Sequence, residues 1–538
     1  MPRVRGRIPT SASSRAVVAS RHPRAEVLHG KVLAMFQRLA EYIRTFRERG
    51  ERPFEAGLRT ADADGCPQLA ESTASSRALG TKPIFPLFMR YAAISLVGVL
   101  AQIAMVVSEG VVVGNGIGPV GLACMSVVMT FEIVNMALGS SLGQGVSAVC
   151  GNLLGAGDEA GARRAFGQGF WFTFLLACAV SAVFFVNTPA IVPLIGATPE
   201  IEADCIAAVR IFMVGYPFCI TGQMICQMLR QDERPGLASA IQTFGSVVAA
   251  TWLVVSVFVL KLGVAGAAAY YAISTALWFL GILGFVLPRR DGTRSVFSVR
   301  LSDIRVSPRL VYEVCRYGCP VFLVQISSAI YVAVMNHTLG ATGDTENVAS
   351  FAIINSYFMY TLNIVCMALA YALQPIAAYN EGAGNDRRLA DLLVVAAGVE
   401  IVCIGAISLV TNAFAPQMCL LFTGGDAELA ASSAGHVKIV LMFCAFGFLG
   451  QIMSAYFESI GGTKRAVMFG VLRYAVFAVP AILVISACGG IEDVWWALPA
   501  ADLATFALSA VMAGTERRRL LACAASGVRR ASTFRLVL

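Results

Sequence analysis

The chain has 538 residues, 57 % apolar and only 14 % charged, too little charge to clothe the several domains that a soluble chain of this length would form at about 25 % charged. Its formal net charge of +8 does not mark a nucleic-acid binder, because the basic residues are spread through tails and alternate loops. Apolar runs of about 20 residues, enough to cross about 30 Å of hydrocarbon, recur between short polar breaks and place the chain in a lipid bilayer as an all-α membrane protein.

Residues 1–82 differ from the rest. Met1–Arg24 is rich in Arg and Ser and has no apolar segment of the kind that marks a secretory signal. Over Ala25–Arg49, Val32, Met35, Phe36, Leu39, Ile43 and Phe46 recur near helical spacing with arginines among them. That pattern reads as a helix on an anionic membrane surface, as a basic disordered tail on the cytoplasmic side, or as an over-extended start to the gene. Six helices are then expected near 84–112, 117–149, 166–190, 202–228, 236–260 and 264–287, forming a first bundle over 83–288. A cytoplasmic linker at 289–309 leads to six more, near 310–338, 347–376, 388–413, 431–458, 465–487 and 492–514. These form a second bundle over 310–514, and a basic cytoplasmic tail occupies 515–538.

The loops sort by charge. One set carries Arg163, Arg164, Arg230, Arg234, the run from Arg289 to Arg309, Arg387, Arg388, Lys464, Arg465 and Arg517–Arg519. The alternate set carries Glu200, Glu202, Asp204, Asp344, Glu346, Asp426, Glu428, Glu492 and Asp493. Arginine-rich loops stay inside, so both termini are expected in the cytoplasm, and twelve spans satisfy the even number this requires.

The two sets of helices match each other. Arg90-Tyr91 pairs with Arg316-Tyr317 at an offset of 316 − 90 = 226, and Gly114 and Ala123 pair with Gly340 and Ala349 at the same offset. Gly155-Ala156-Gly157 pairs with Gly382-Ala383-Gly384, and Gly263 with Gly490, at 227. Arg210 pairs with Lys438, and Gly222-Gln223 with Gly450-Gln451, at 228. An ordered series that drifts by only two residues is an internal repeat. Six-helix repeats share one orientation, so a pseudo-two-fold is expected along the membrane normal, with the substrate path between the halves.

Two stretches carry a family likeness. The first runs from Gly139 through Gly143, Gln144 and Gly145 to Gly155-Ala156-Gly157; the second is Gln374-Pro375 followed by Tyr379-Asn380 and Gly382. Arg473 seven residues before Pro480, Val494-Trp495 with Pro499 and Asp502, and Asn336 before a Gly-containing loop add to it. Over about residues 84–514 the chain resembles the multidrug and toxic compound extrusion (MATE) transporters of bacterial type. The resemblance implies an exporter driven by a Na⁺ or H⁺ gradient, needing no cofactor and often carrying lipophilic cations. The family's acidic position on the first helix corresponds to Glu109 in Ser108-Glu109-Gly110-Val-Val-Val-Gly114. Two departures stand out. The proline near the start of the first helix is kept only as Pro320 in the second half. The Asn and Asp that many members carry on helix 5 are replaced by Ala249, Ala250, Leu253 and Val254.

A charge kept at mid-membrane costs about 2.5–3.5 kcal/mol even on lenient scales, so each invites a functional explanation. Glu109 and Glu132 are candidates to bind a cation or share a proton, alternating with substrate. Arg473 has Asp502 or Glu400 as possible partners, and Asp502 is itself a candidate cavity carboxylate. Asn336, Tyr360, Gln374 and Asn380 are candidate cavity residues, with helix-to-helix hydrogen bonding as the plainer role for the amides. The expected partners are a small-molecule substrate and the lipid bilayer, with the chain working as a monomer in the cell membrane.

Other classes fit less well. The 15 cysteines lie mostly in apolar stretches without ligand spacing, and the four histidines, His22, His29, His337 and His436, are scattered. No phosphate-binding GxxxxGK[ST] loop is present. A major-facilitator transporter shares the twelve-helix plan but carries a charged motif where this chain has Gly151-Asn152-Leu-Leu-Gly155. A lipid-linked oligosaccharide flippase would line its cavity with several arginines.

Overall fold

The computed structural model describes residues 78–194, 199, 201–286, 295–340, 345–422, 427–488 and 490–526. The expected tail helix at Ala25–Arg49, Arg289, Arg290 and Arg294 of the linker, and Glu200, Asp344 and Asp426 of the acidic loops lie outside these residues.

Pro119, Pro235 and Pro308 open helices, where a missing backbone N–H costs nothing because the first turn has no partner for it. Gly157 closes the helix that Pro119 opens, and Gly384 closes another, at φ +85° and +69°, in the left-handed conformation that glycine adopts freely. These two glycines are repeat equivalents, so the same local device ends the second helix of each half.

Between such punctuation lie α1 (Ile84–Gly116), α2 (Pro119–Gly155), α3 (Glu159–Leu194), α4 (Glu202–Gln231), α5 (Pro235–Val259) and α6 (Gly263–Phe285). The second half supplies α7 (Pro308–Gly340), α8 (Asn347–Gly382), α9 (Asp386–Ala413), α10, α11 (Thr463–Cys488) and α12 (Glu492–Ser526). α10 is a broken helix, Ala427–Val440 and Cys444–Ser459, bent by 54°. Among the described residues, eleven helices are long and apolar enough to cross a bilayer, and the bent pair makes twelve. The chain is therefore an all-α, multi-pass membrane protein. α12 runs past its expected end near 514 to Ser526, so the start of the expected tail is helical.

Large apolar side chains such as Val183, Val186, Val259, Leu409, Leu483 and Val511 stand exposed on the outside. That surface needs hydrocarbon rather than water around it. Inside, the halves join where α2 packs on α7 and α8, and α1 on α8. At the end of the molecule that carries the arginine loops, Gly155 faces the Tyr379 backbone and Gly382 faces Asn152, with no room for a Cβ on either glycine. Ser141 donates to the Gly318 carbonyl at 2.9 Å and Asn152 to the Ser459 carbonyl at 3.1 Å, tying the same end shut.

The described part of the linker is strapped down. Phe297 is buried against Phe166 and Phe285, the Trp171 indole N–H donates to the Arg300 carbonyl at 2.9 Å, and the Ser307 N–H to Gln168 at 3.1 Å.

Candidate functional site

Tyr270 and Tyr271 follow one another on α6, and consecutive helical residues point about 100° apart. They therefore reach two different neighbours. The Tyr270 hydroxyl donates to Glu109 of α1, and the Tyr271 hydroxyl to Glu132 of α2. Their rings touch edge to face, centroids 5.6 Å apart. Glu109 is 3 % exposed. Tyr270 packs with Met105, Val112 and Val113 of the same α1, and with Ala249 and Leu253 of α5, in one apolar cluster. Ala249 and Leu253, two of the four apolar residues found where many members carry the helix-5 polar pair, thus become packing against the carboxylate's own helix.

Glu132 is only partly buried and faces a cavity between the halves. The cavity holds about 900 Å³ of space free of atoms, counting its open mouth. Glu132, Arg230, Gln242 and Trp278 of the first half line it, and Tyr360 and Tyr371 of α8 close it from the second. Glu109 stands behind this wall, while Met105, one helical turn earlier, is part of it.

Arg230 corrects an expectation. The charge pattern assigned it to an arginine loop, but it lies in the last turn of α4, 1 % exposed and turned to the cavity. Its guanidinium donates to Gln227 at 3.1 Å and to Gln242 at 3.0 Å, and lies 4.7 Å from the centroid of the Tyr371 ring. Tyr371 belongs to the other half, so this cation–π contact crosses the cavity floor.

In the second half, Arg473 chooses Asp502 over Glu400. Its Nε and Nη2 donate to the two carboxylate oxygens at 2.7 and 3.3 Å, a fork-on-fork pair. Arg473 also lies 4.0 Å from the Phe448 ring centroid. It sits in a π-helical stretch, Leu472–Ala478, one of the wide turns that re-aim side chains inside a helix. Gly447 leaves room for the pair, since a Cβ there would run into Asp502. Both charges are buried away from the cavity. Glu400 is fully buried, and neither of its oxygens accepts a hydrogen bond from the described residues.

The remaining candidates divide. Tyr360 lines the cavity. Gln374 bonds Gln144 across the halves instead. Gln144 also lies 3.2 Å from both oxygens of Glu458, a buried carboxylate that the sequence reading passed over. The repeat held the signal: 458 − 230 = 228 makes Glu458 the equivalent of Arg230. Asn380 lies away from the cavity, donating to the Leu79 carbonyl at 3.0 Å and accepting from Arg388 at 3.0 Å. It pins the segment before α1 to the end of α8. Asn336 is exposed near the far end of α7. Among the described residues no three His, Cys, Asp or Glu side chains group as metal ligands.

The sequence model of the MatE family matches residues 94–255 and 320–484, one copy in each half. The multidrug export protein MepA of Staphylococcus saprophyticus is 22 % identical over 71 % of this chain and 82 % of its own length. An FAD transporter of Shewanella oneidensis is also 22 % identical, over 78 % and 92 %. A MATE crystal structure in complex with MaL6 superposes with a TM-score of 0.77 at 20 % identity, covering 82 % of this chain and 98 % of the other. Relatives of equal identity thus bear names with different cargoes, and the cavity itself has to speak for the substrate.

Proposed function

Since the chain belongs to the MatE family, matched over more than half its length and in both halves, we propose that this multi-pass transporter is a proton-driven antiporter that exports lipophilic organic cations by alternating access. It is a transporter and not an enzyme. Family membership sets the major-facilitator reading aside.

The observation that carries the proposal is the carboxylate pair of the first half. Glu132 offers a negative charge to a cation in the cavity, and Glu109 stands one layer behind it, each held by a single tyrosine hydroxyl. Hard metal cations are held by shells of several oxygens. Among the described residues, Glu109 has one hydrogen-bonding oxygen neighbour, Tyr270, which itself packs in an apolar cluster. A carboxylate in that setting suits a proton better than Na⁺. A proton on Glu109 lowers the negative charge of the pair that attracts the cationic cargo at Glu132, and cargo arrival favours loss of that proton, which is the exchange an antiporter needs.

In this reading the halves, 83–288 and 310–514, are the moving bodies, and the chain works as a monomer in the cell membrane with both termini in the cytoplasm. The joined end is then the cytoplasmic end, and the structure faces outward. The flippase reading draws little from the cavity, whose lining among the described residues holds Arg230 alone of the basic residues.

The test is efflux of tetraphenylphosphonium from proteoliposomes under imposed H⁺ or Na⁺ gradients. Export driven by the pH gradient, indifferent to Na⁺ and lost in Glu109→Gln, is the expected result. Na⁺-driven export, or unchanged pH-driven export in Glu109→Gln, contradicts it.

A further inference from the structure

Among the described residues, Arg230 is a charge without a counter-charge. It is 1 % exposed, and among the described residues no carboxylate lies within ion-pair distance of it. A buried, unpaired charge is strongly destabilising, which is why buried ions in proteins are normally matched. The second half shows what matching looks like: Arg473 has both of its forward donors on Asp502. Among the described residues, the acceptors at Arg230 are two neutral amide oxygens, Gln227 and Gln242, and the Nε–H finds none. A guanidinium has five donors in a planar fork suited to a carboxylate.

The surroundings describe what would meet it. The aromatic rings of Tyr271, Trp278 and Tyr371 line the same cavity, and Glu132 stands at another level of it. α2 and α4 run side by side, with Asn135 on Cys219 and Ser140 on Gln223. At that offset of 219 − 135 = 84, Glu132 is level with Tyr216, fourteen residues before Arg230 (230 − 216 = 14). The axial separation is roughly 21 Å at about 1.5 Å per residue, shortened by the reach of two long side chains. The acid and the base are too far apart to neutralise each other, and the gap suits a polycyclic aromatic body.

We infer that Arg230 is a seat for a carboxylate on the transported compound, so that the favoured cargo is an aromatic zwitterion with its cationic centre toward Glu132 and its anionic group on Arg230. This deepens the export reading and rests on it for the word cargo. The seat also touches Tyr371 of the opposite half, so an anion on Arg230 competes with a contact that spans the two halves.

The probe pair is rhodamine B and its ethyl ester, which share a cationic ring system and differ in a free carboxylate. Equilibrium dialysis with purified full-length protein measures both affinities, and size-exclusion profiles and melting curves check each variant's fold. The wild type should prefer the carboxylate dye by about tenfold, the effect of one charge-assisted bidentate contact. Arg230→Gln should bring the ratio to about one, and Arg230→Lys, a charge without the planar fork, should keep part of it. A preference that survives Arg230→Gln, a wild type with no preference or no binding of either dye, or an equal loss for both dyes overturns the inference; the last marks Arg230 as a clamp for Gln227 and Gln242. Proteoliposome efflux of the ester separates this result from the parent reading. Gradient-driven ester export without a carboxylate preference sinks the seat and leaves the exporter. A carboxylate preference in binding without gradient-driven export of either dye keeps the seat and sinks proton-driven export.

Discussion

Among the described residues of the first half, Glu109 and Glu132 each lean on one tyrosine and Arg230 faces the cavity with no acid beside it, whereas in the second half Arg473 and Asp502 complete each other in a closed pair. The two halves share a backbone plan. The glycines that plan depends on recur at fixed offsets: Gly155 with Gly382 where the halves touch, Gly157 with Gly384 where a helix must end. Side chains were free to diverge at equivalent places, and Arg230 against Glu458 is the clearest instance. The helices beneath them diverged too, since α4 is continuous through Pro217 while α10 breaks and bends by 54°. A repeat therefore fixes where the chain goes and leaves open which half does the chemistry. Groups already satisfied inside the protein hold it together, and in the proposed reading groups left partly unsatisfied at or behind the cavity are the ones that meet cargo and protons.

That division can be broken most forcefully at the closed pair. Asp502→Ala strands Arg473 in a buried site and should cost about 3–5 kcal/mol, seen as a large drop in the melting temperature in detergent. The double replacement Arg473→Met with Asp502→Leu should recover most of the loss, because it removes both charges together. A mild Asp502→Ala phenotype would mean that the pair is not structural.

Glu400 sharpens the same point with the opposite sign. Glu400→Met removes a buried carboxyl group with no hydrogen bond from the described residues and should stabilise by about 1–3 kcal/mol, leaving export intact. Export lost along with that gain would move proton handling into the second half. Gly382→Ala pushes a methyl group into the α2 backbone at the joined end and should cost about 1–3 kcal/mol. Cysteine crosslinks between α2 and α8 would report the halves parting there, and unchanged crosslinking would contradict the close approach. The smallest effect belongs to the contact across the cavity floor. Tyr371→Leu removes a cation–π interaction and should cost about 0.5–2 kcal/mol, measurable by chemical denaturation, while Tyr371→Phe should keep most of it.

The sequence carried the fold further than the site. Twelve spans, two halves and their shared orientation follow from run length, loop charge and the glycine offsets, because hydrocarbon thickness and backbone sterics impose them. Glu109 and Glu132 were legible as charges in apolar helices, but Tyr270 and Tyr271 were not, since a tyrosine is unremarkable in a membrane helix until its neighbour is known. Arg230 was misplaced because an arginine at the end of a span looks the same in sequence whether it snorkels outward or turns in. Gln374 and Asn380, read as candidates for the cavity, hold the two halves and the chain start together instead. Hydropathy gives the depth of a residue in a helix but not the face it occupies.

The central claim is that cargo and protons compete for the first-half carboxylates. Adding tetraphenylphosphonium to purified protein in weakly buffered detergent, with a pH-sensitive dye, tests it directly. The account predicts proton release in the wild type and in Glu400→Gln, and none in Glu109→Gln. Release that persists in Glu109→Gln and disappears in Glu400→Gln would contradict it and place the exchange in the second half.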